Sequence, residues 1–124
     1  METILKYINQ KLSEMNIPYE YYEWTGEDVY PYFVGSYDHD NKRYEDGYTS
    51  GRFTINGWTR GNMLELVNIG DEIVNTFTDH QVIIDDHLLY INVEINQTLP
   101  TGEEELKRLM IVLSVEEWEG NTWD

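Results

Sequence analysis

The three histidines of the chain are the first candidates for chemistry, because each has an aspartate as a neighbour in the sequence: His39, His80 and His87. Imidazole together with carboxylate suits zinc, iron or manganese. Their spacing matches no established ligand motif, and all three fall in segments with the composition of polar loops or turns. We therefore expect solvated charge clusters here rather than a metal site.

The remaining reactive residue types give no catalytic arrangement. The chain has no cysteine, so it has neither a thiolate nucleophile nor a disulfide framework. It also has no Gly-x-Ser-x-Gly segment and no glycine-rich phosphate loop. Acidic pairs are frequent because 24 residues are Asp or Glu, but none lies in an apolar stretch that would raise a carboxyl pKa for acid–base work. We expect a protein that is not an enzyme and needs no cofactor.

The charge of the chain limits the partners that it can have. The net charge is −16, from 24 acidic and 8 basic residues. A surface of this kind repels the phosphate backbone of nucleic acids and the surface of an anionic membrane. The simplest role of the charge is solubility. Two sharper alternatives are a surface past which DNA slides without binding, and a surface that imitates DNA.

Nothing in the sequence directs the chain to a membrane. Residues 1–8 are amphipathic and lack the basic region and apolar run of a signal peptide. No stretch approaches the roughly 20 apolar residues of a transmembrane helix. We expect a soluble protein that is made in the cytoplasm.

The segment 51–77 indicates the architecture most clearly. Up to Trp58, alternating side chains have the period of a strand. Beyond Asn62, which is a suitable N-cap, apolar residues recur every three or four positions, as on one face of a helix. Gly70 lies on that face. Because glycine within a helix costs about 1 kcal/mol relative to alanine, we expect the helix to approach a sheet closely at this position.

Periodicity on either side of this segment supplies the other elements. It predicts a helix over residues 2–15 and strands over 19–24, 29–37, 89–96 and 109–115, the last two as a hairpin. The length of 124 residues favours one domain. The predicted fold is α+β, with a mostly antiparallel β-sheet and two α-helices packed on one face. The single domain covers residues 1–124, and its acidic, aromatic tail 117–124 is expected to be poorly ordered unless it docks.

A polar segment, residues 38–50, separates two of the predicted strands, and we interpret it as a long loop or as the tip of an extended hairpin. It holds the basic pair Lys42-Arg43. In this acidic protein the pair could reach an acidic patch on a neighbouring copy, or form an ordinary exposed ion pair within its own loop. The candidate subunit-interface residues are Lys42, Arg43, Tyr44 and Tyr48.

Four segments that together span nearly the whole chain follow one another in a distinctive order. They are the amphipathic helix around residues 4–8, the Tyr-Pro-Tyr-x-Val strand that begins at Tyr30, the strand that ends in Trp58 and leads directly into a helix, and the closing strand pair near residues 106–115. This order resembles that of the small tail-completion, or tail-terminator, proteins of long-tailed bacteriophages. Each short motif is common, so the resemblance lies in the order.

The resemblance implies a structural virion protein located at the tail end or neck. Proteins of this family look like α/β subunits that form a ring, typically of six copies, on the end of the tail tube. The ring stops tube polymerisation and presents a surface to the head-completion or connector protein, and DNA passes through its lumen. The implied partners are other copies of the chain, the tail-tube protein and the head connector. The family has no catalytic, cofactor or metal residues to carry over.

Three other functions remain as alternatives. A different neck component, such as a head-closure or connector protein, has a similar size and layout. A small acidic DNA mimic would inhibit a host DNA-binding enzyme, but its acids should follow one face, whereas here they are scattered. A metal-dependent enzyme that uses the three histidines is the last alternative. The excess of Tyr and Trp favours a subunit with several protein interfaces.

Overall fold

A computed structural model of the protein describes residues 2–27, 29–40 and 48–119. The elements in chain order are α1 (Glu2–Glu14), β1 (Tyr19–Tyr21), β2 (Tyr32–His39), β3 (Tyr48–Thr59), α2 (Met63–Phe77), β4 (His80–Ile84), β5 (His87–Leu99) and β6 (Lys107–Trp118). The strands form one curled sheet in the order β1-β2-β3-β6-β5-β4. Neighbouring strands are antiparallel except β1 and β2, which are parallel. The predicted α+β class is confirmed, with a mixed sheet.

The sheet has an inner face buried against both helices and an outer face that carries no described helix. Along β3 and β6, buried residues alternate with more exposed ones, as expected for strands with one face in a core. Six buried side chains from the helices complete the core: Ile4, Ile8 and Leu12 from α1, and Leu66, Ile73 and Phe77 from α2. Among the described residues, neither helix has the length and apolar character needed to cross a bilayer.

Helix α2 begins and packs as the sequence predicted. The Asn62 side chain accepts a hydrogen bond from the backbone N–H of Leu64 at 2.9 Å, so it caps the helix. Gly70 lies directly on the sheet, because a Cβ at this position would come within 2.5 Å of Cδ2 of Leu109. The close approach expected at Gly70 is therefore confirmed, and it explains why the helix tolerates a glycine.

The segment between β2 and β3 is shorter than predicted. β2 continues to His39 and β3 begins at Tyr48, so Asp38 and Ser50 are strand residues rather than loop residues. The Asp40 N–H also donates to the Ser50 carbonyl at 2.8 Å. The described part of this segment is thus an extended hairpin. Its polarity suggested a loop, but side chains on an outer sheet face do not need to be apolar.

The predicted C-terminal tail also begins too early. Glu117 and Trp118 belong to β6, and Trp118 pairs with Tyr48 of β3 on one side and with Leu88 of β5 on the other. Because both neighbouring strands extend this far, β6 continues through residues that composition alone assigns to a tail. Residues 120–124 lie outside the described residues.

Strand β2 begins directly after a proline and is partly covered by β1. Pro31 stands just before the strand, where its missing N–H does not interrupt the ladder. β1 pairs with residues 33–35 of β2 in parallel. Within the described part of the chain, Tyr32 and residues 36–39 of β2 therefore lack a neighbouring strand on that side.

Gly57 of β3 makes room for a buried aromatic ring on the next strand. It pairs with Phe33, and a Cβ at Gly57 would come within 2.3 Å of the Phe33 ring. We expect Gly57→Ala to lower the free energy of unfolding by about 1–3 kcal/mol, because the fully buried ring has to move. Urea unfolding at equilibrium measures this change.

The matched control for Gly57 is Gly61→Ala. A Cβ at Gly61 would lie 3.5 Å from its nearest neighbour, an ordinary contact distance. This variant should change the free energy of unfolding by less than about 0.5 kcal/mol. Equal losses in the two variants would contradict the packing of Phe33 against Gly57.

Candidate interaction surface

The three histidines offered by the sequence as metal ligands lie apart, and all three are strand residues rather than loop residues. His39 ends β2, His80 begins β4 and His87 begins β5. Asp38 precedes His39 on β2, and successive residues of a strand point to opposite faces, so these two side chains do not share a site. Within residues 2–27, 29–40 and 48–119, no group of three or more His, Asp or Glu side chains is placed to hold a metal ion.

His80 belongs to the contact between α1 and the sheet. Its Nε2 is hydrogen-bonded to the Tyr7 hydroxyl. Its ring meets Phe77 edge-on, with 6.2 Å between the ring centroids. Burial, and to a smaller extent the Lys11 charge, lowers the pKa of His80 below its ordinary value. These contacts give His80 a structural role.

His87 pairs with a buried carboxylate at the edge of the core. Its Nδ1 lies 2.5 Å from Oε2 of Glu117, whose side chain is only 4 % exposed. The pKa of the Tyr37 hydroxyl is raised above its ordinary value, mainly by burial and to a smaller extent by the negative charge of Glu117. Because a carboxylate within a protein is costly unless it is paired, His87 and Glu117 are structural partners.

Of the four candidate interface residues, Tyr48 is the one that the structure describes. It is the first residue of β3, and its ring centroid lies 5.0 Å from that of Trp118 on the neighbouring strand. Lys42, Arg43 and Tyr44 lie outside the described residues. The structure shows other surface features that are suited to binding a partner, and these lie further along the outer face.

One end of the outer face carries six neighbouring aromatic and arginine side chains, here called the aromatic–arginine cluster: Trp24, Tyr30, Tyr32, Trp58, Arg60 and Arg108. Strand register places three of them in a row, with Tyr32 opposite Trp58 and Trp58 opposite Arg108. The Tyr32 and Trp58 rings stack, with centroids 5.2 Å apart and 24° between their planes. The Arg108 guanidinium lies 5.7 Å from the centroid of the Trp58 ring, within the range of a cation–π contact.

Side chains from outside the strands extend this row. Trp24, which follows β1, lies 4.9 Å from Tyr32 between ring centroids. Tyr30, which precedes β2, lies 5.6 Å from the same ring. The Arg60 guanidinium lies 5.9 Å from the Tyr30 ring and forms an ion pair with Glu103 at 3.4 Å. The sheet thus provides the centre of the cluster, and the flanking segments provide its rim.

Arg108 is held in place by a neutral partner. Its Nε and Nη2 donate to Oδ1 of Asn56 at 3.1 and 2.8 Å. No carboxylate of the described segments forms a salt bridge with it. A guanidinium positioned by an amide and an aromatic ring keeps its charge available for a carboxylate of another molecule. Since Trp, Tyr and Arg dominate the energetics of protein interfaces, the cluster has the composition of an interface hot spot.

The opposite end of the outer face is an acidic cleft of about 680 Å³. The charged residues along its wall include four carboxylates and one arginine: Asp38, Asp40, Glu94, Glu116 and Arg52. Arg52 is bound to Glu94 by two hydrogen bonds of 3.0 Å each. The outer face therefore has two ends of different chemistry, one aromatic with arginines and one acidic.

Sequence reasoning did not single out the aromatic–arginine cluster. Periodicity placed Tyr32 and Trp58 in two predicted strands, and the excess of Tyr and Trp indicated interfaces. The signal that joins these residues is the register between β2, β3 and β6, which pairs positions far apart in the chain.

Comparisons with known proteins support the fold. No protein-family model matches the sequence, and no curated protein matches it. A solved structure whose name carries no functional description is similar, with a TM-score of 0.72 and 12 % sequence identity over 94 % of each chain. At this identity the likeness shows the fold alone.

We expect His80 to make the protein less stable as the pH falls below about 6.5, the ordinary histidine pKa. The pKa of His80 is lowered in the folded state, so the unfolded chain takes up this proton more readily. Its contribution to the free energy of unfolding is complete above the unfolded-state pKa. It is lost as the pH falls through that value towards the lower, folded-state pKa.

Urea unfolding of the wild type and His80→Gln at about pH 7.5 and about pH 5.5 isolates this effect from other titrating groups. The stability of the wild type relative to the variant should decrease at the lower pH. A difference between the two proteins that is independent of pH would show that His80 does not titrate differently on folding.

Proposed function

We propose that this chain is a tail-terminator or tail-completion protein of a long-tailed bacteriophage. As such it is a structural virion subunit that forms a ring on the end of the tail tube and joins it to the head connector. It is not an enzyme and needs no cofactor. Its partners are copies of itself, the tail-tube protein and the head-completion or connector protein.

The outer face of the sheet, which no helix of the described residues covers, is the observation that carries this proposal. Both helices pack into the core on the inner side. The outer face carries the aromatic–arginine cluster at one end and the acidic cleft at the other. A subunit that sits between a tube and a connector needs two surfaces of different chemistry, and this face offers them.

The order of elements supports the same proposal. The segments that carry the resemblance correspond to α1, β2, β3 followed closely by α2, and the antiparallel pair β5–β6. The sheet that they form, mostly antiparallel with two helices on one side, suits a subunit that builds its own core and leaves one sheet face for assembly.

The negative charge of the chain is consistent with a ring through which DNA moves. At a net charge of −16, a ring of such subunits is strongly acidic and repels the phosphate backbone. DNA can then move through the lumen without being held by specific contacts.

Native mass by light scattering, over a concentration series and with or without the cognate tail-tube protein, tests the proposal. We expect a closed oligomer, either alone or on addition of the tube protein. An oligomer that ignores the tube protein and binds the head connector would favour a different neck component. A monomer that ignores the tube protein and binds a host DNA-binding enzyme would favour a DNA mimic.

The aromatic–arginine cluster should serve one of the two virion partners and not both. We expect Arg108→Gln to weaken binding to either the tube protein or the head connector by roughly 10- to 30-fold, because arginines stacked on aromatic rings are frequent hot spots. Titration calorimetry with each partner measures this effect.

Lys6→Gln is the matched control, because Lys6 lies on α1, away from the outer face of the sheet, and its charge is already paired with Glu2 at 2.8 Å. It should change neither affinity by more than about threefold, as expected for an exposed pair. Unchanged affinity of Arg108→Gln for both partners would exclude the cluster as their binding surface.

A further inference from the structure

Each outer edge of the sheet is only partly covered by its last strand. β4 pairs with residues 87–91 of β5, so residues 92–99 have no neighbouring strand on that side within the described segments. β1 pairs with residues 33–35 of β2, which leaves residues 36–39 in the same situation. A strand edge without a neighbour presents a row of backbone N–H and C=O groups that can pair with another strand.

The two edges have complementary outlines. β4 flanks the beginning of β5, and β1 flanks the beginning of β2. Because β2 and β5 run in opposite directions through the antiparallel pairs β2–β3, β3–β6 and β6–β5, these two projecting strands lie at opposite ends of the sheet. A second copy placed alongside in the same orientation therefore brings its β1 beside residues 92–99. It also brings its residues 36–39 beside β4.

Strand direction favours the first of these two contacts, while residues 36–39 of the second copy run parallel to β4. β1 is parallel to β2, and β2 is antiparallel to β5, so β1 of the second copy lies antiparallel to residues 92–99. Antiparallel pairing is the more stable of the two ladder types.

Exposed apolar side chains concentrate at the same edges. Seven large apolar side chains are exposed among the described residues, and four of them lie on or next to the strands that would meet. Tyr21 and Tyr22 are at β1, Ile83 is on β4, and Ile95 is on the uncovered part of β5. Tyr22 is 75 % exposed and Ile83 is 58 % exposed, so contact with a second copy would remove much apolar surface from water.

The uncovered part of β5 also lacks most of the features that prevent strand pairing. Edge strands are commonly protected by charged residues, by proline or by bulges. Here the bulge and the only charge occur together at Glu94, between Val93 and Ile95. Residues 95–99 that follow contain neither a charge nor a proline.

We propose that neighbouring copies join through this stepped edge, with β1 of one copy paired to residues 92–99 of the next, so that the sheet continues from subunit to subunit. The partner that covers the β5 edge is a second copy of this chain. The inference rests on the proposed ring and names its subunit interface. The two contacting surfaces differ, so the interface is heterologous, and such an interface forms a ring when the rotation between neighbouring copies closes.

Lysines on the β5 edge test the pairing. We expect the double variant Ile95→Lys/Gln97→Lys to raise the concentration at which the assembly dissociates by at least about tenfold, because charges at a buried strand edge oppose pairing. The matched control, Asn68→Lys/Asn75→Lys, adds the same two charges at exposed positions of α2 and should keep the wild-type mass. Light scattering reports the mass, and circular dichroism reports whether each variant is folded.

Cross-linking identifies the contacting strands without destabilising the fold. The chain has no cysteine, so introduced thiols are unique. A mixture of Tyr22→Cys and Gln97→Cys chains, treated with a short bis-maleimide, should give dimers with one chain of each kind. Cross-linking of Gln97→Cys only to itself would show that two β5 edges meet and would overturn the proposed pairing.

The outcomes separate this interface from the proposed function. A wild-type ring that keeps its mass in the folded Ile95→Lys/Gln97→Lys variant, without mixed cross-links, would refute the stepped edge and leave the ring proposal intact. A wild-type protein that stays monomeric with the tube protein present would refute both.

Discussion

The pairing of β3 with β6 sets the chemistry of both faces of this protein. The two twelve-residue strands pair along their whole lengths at the centre of the sheet. Because side chains alternate, a slip of one residue would send Arg108 into the core and Leu109 out of it. Burial of the inner face therefore fixes the register of the outer face as well. The row formed by Tyr32, Trp58 and Arg108 exists because the residues beside them are buried.

Elements with a repeating burial pattern were predictable from the sequence. α2 has a capping side chain, an apolar stripe and a glycine that contacts the sheet, and all three are local signals. The neighbour of each strand in the sheet was harder to predict from the sequence. The parallel addition of β1 depends on the path between Tyr21 and Tyr32, and the length of the β2–β3 hairpin was obscured by polar residues on an outer face. The local composition of a segment indicates which side chains are buried. It does not indicate which strand β1 pairs with or how long the β2–β3 hairpin is.

The surface chemistry was harder to predict than the fold for the same reason. Aspartates adjacent in sequence suggested partners for the histidines, whereas His80 and His87 contact Tyr7 and Glu117 from distant segments. Glu117 was assigned to a tail because carboxylates are seldom buried, and its burial depends on a histidine supplied by β5. The aromatic–arginine cluster likewise requires the register of three strands, which no single segment encodes.

The position of β6 also affects the order in which the sheet can form. β6 is the last described strand along the chain, yet it lies between β3 and β5. Before β6 is synthesised, β3 and β5 share no neighbour, so the strands can form only two separate sheets, β1-β2-β3 and β4-β5. Closure through such distant contacts is slow, and the open strand edges of the waiting sheets are sites of misassembly. The yield of folded subunits therefore depends on how quickly β6 enters the gap between the two sheets.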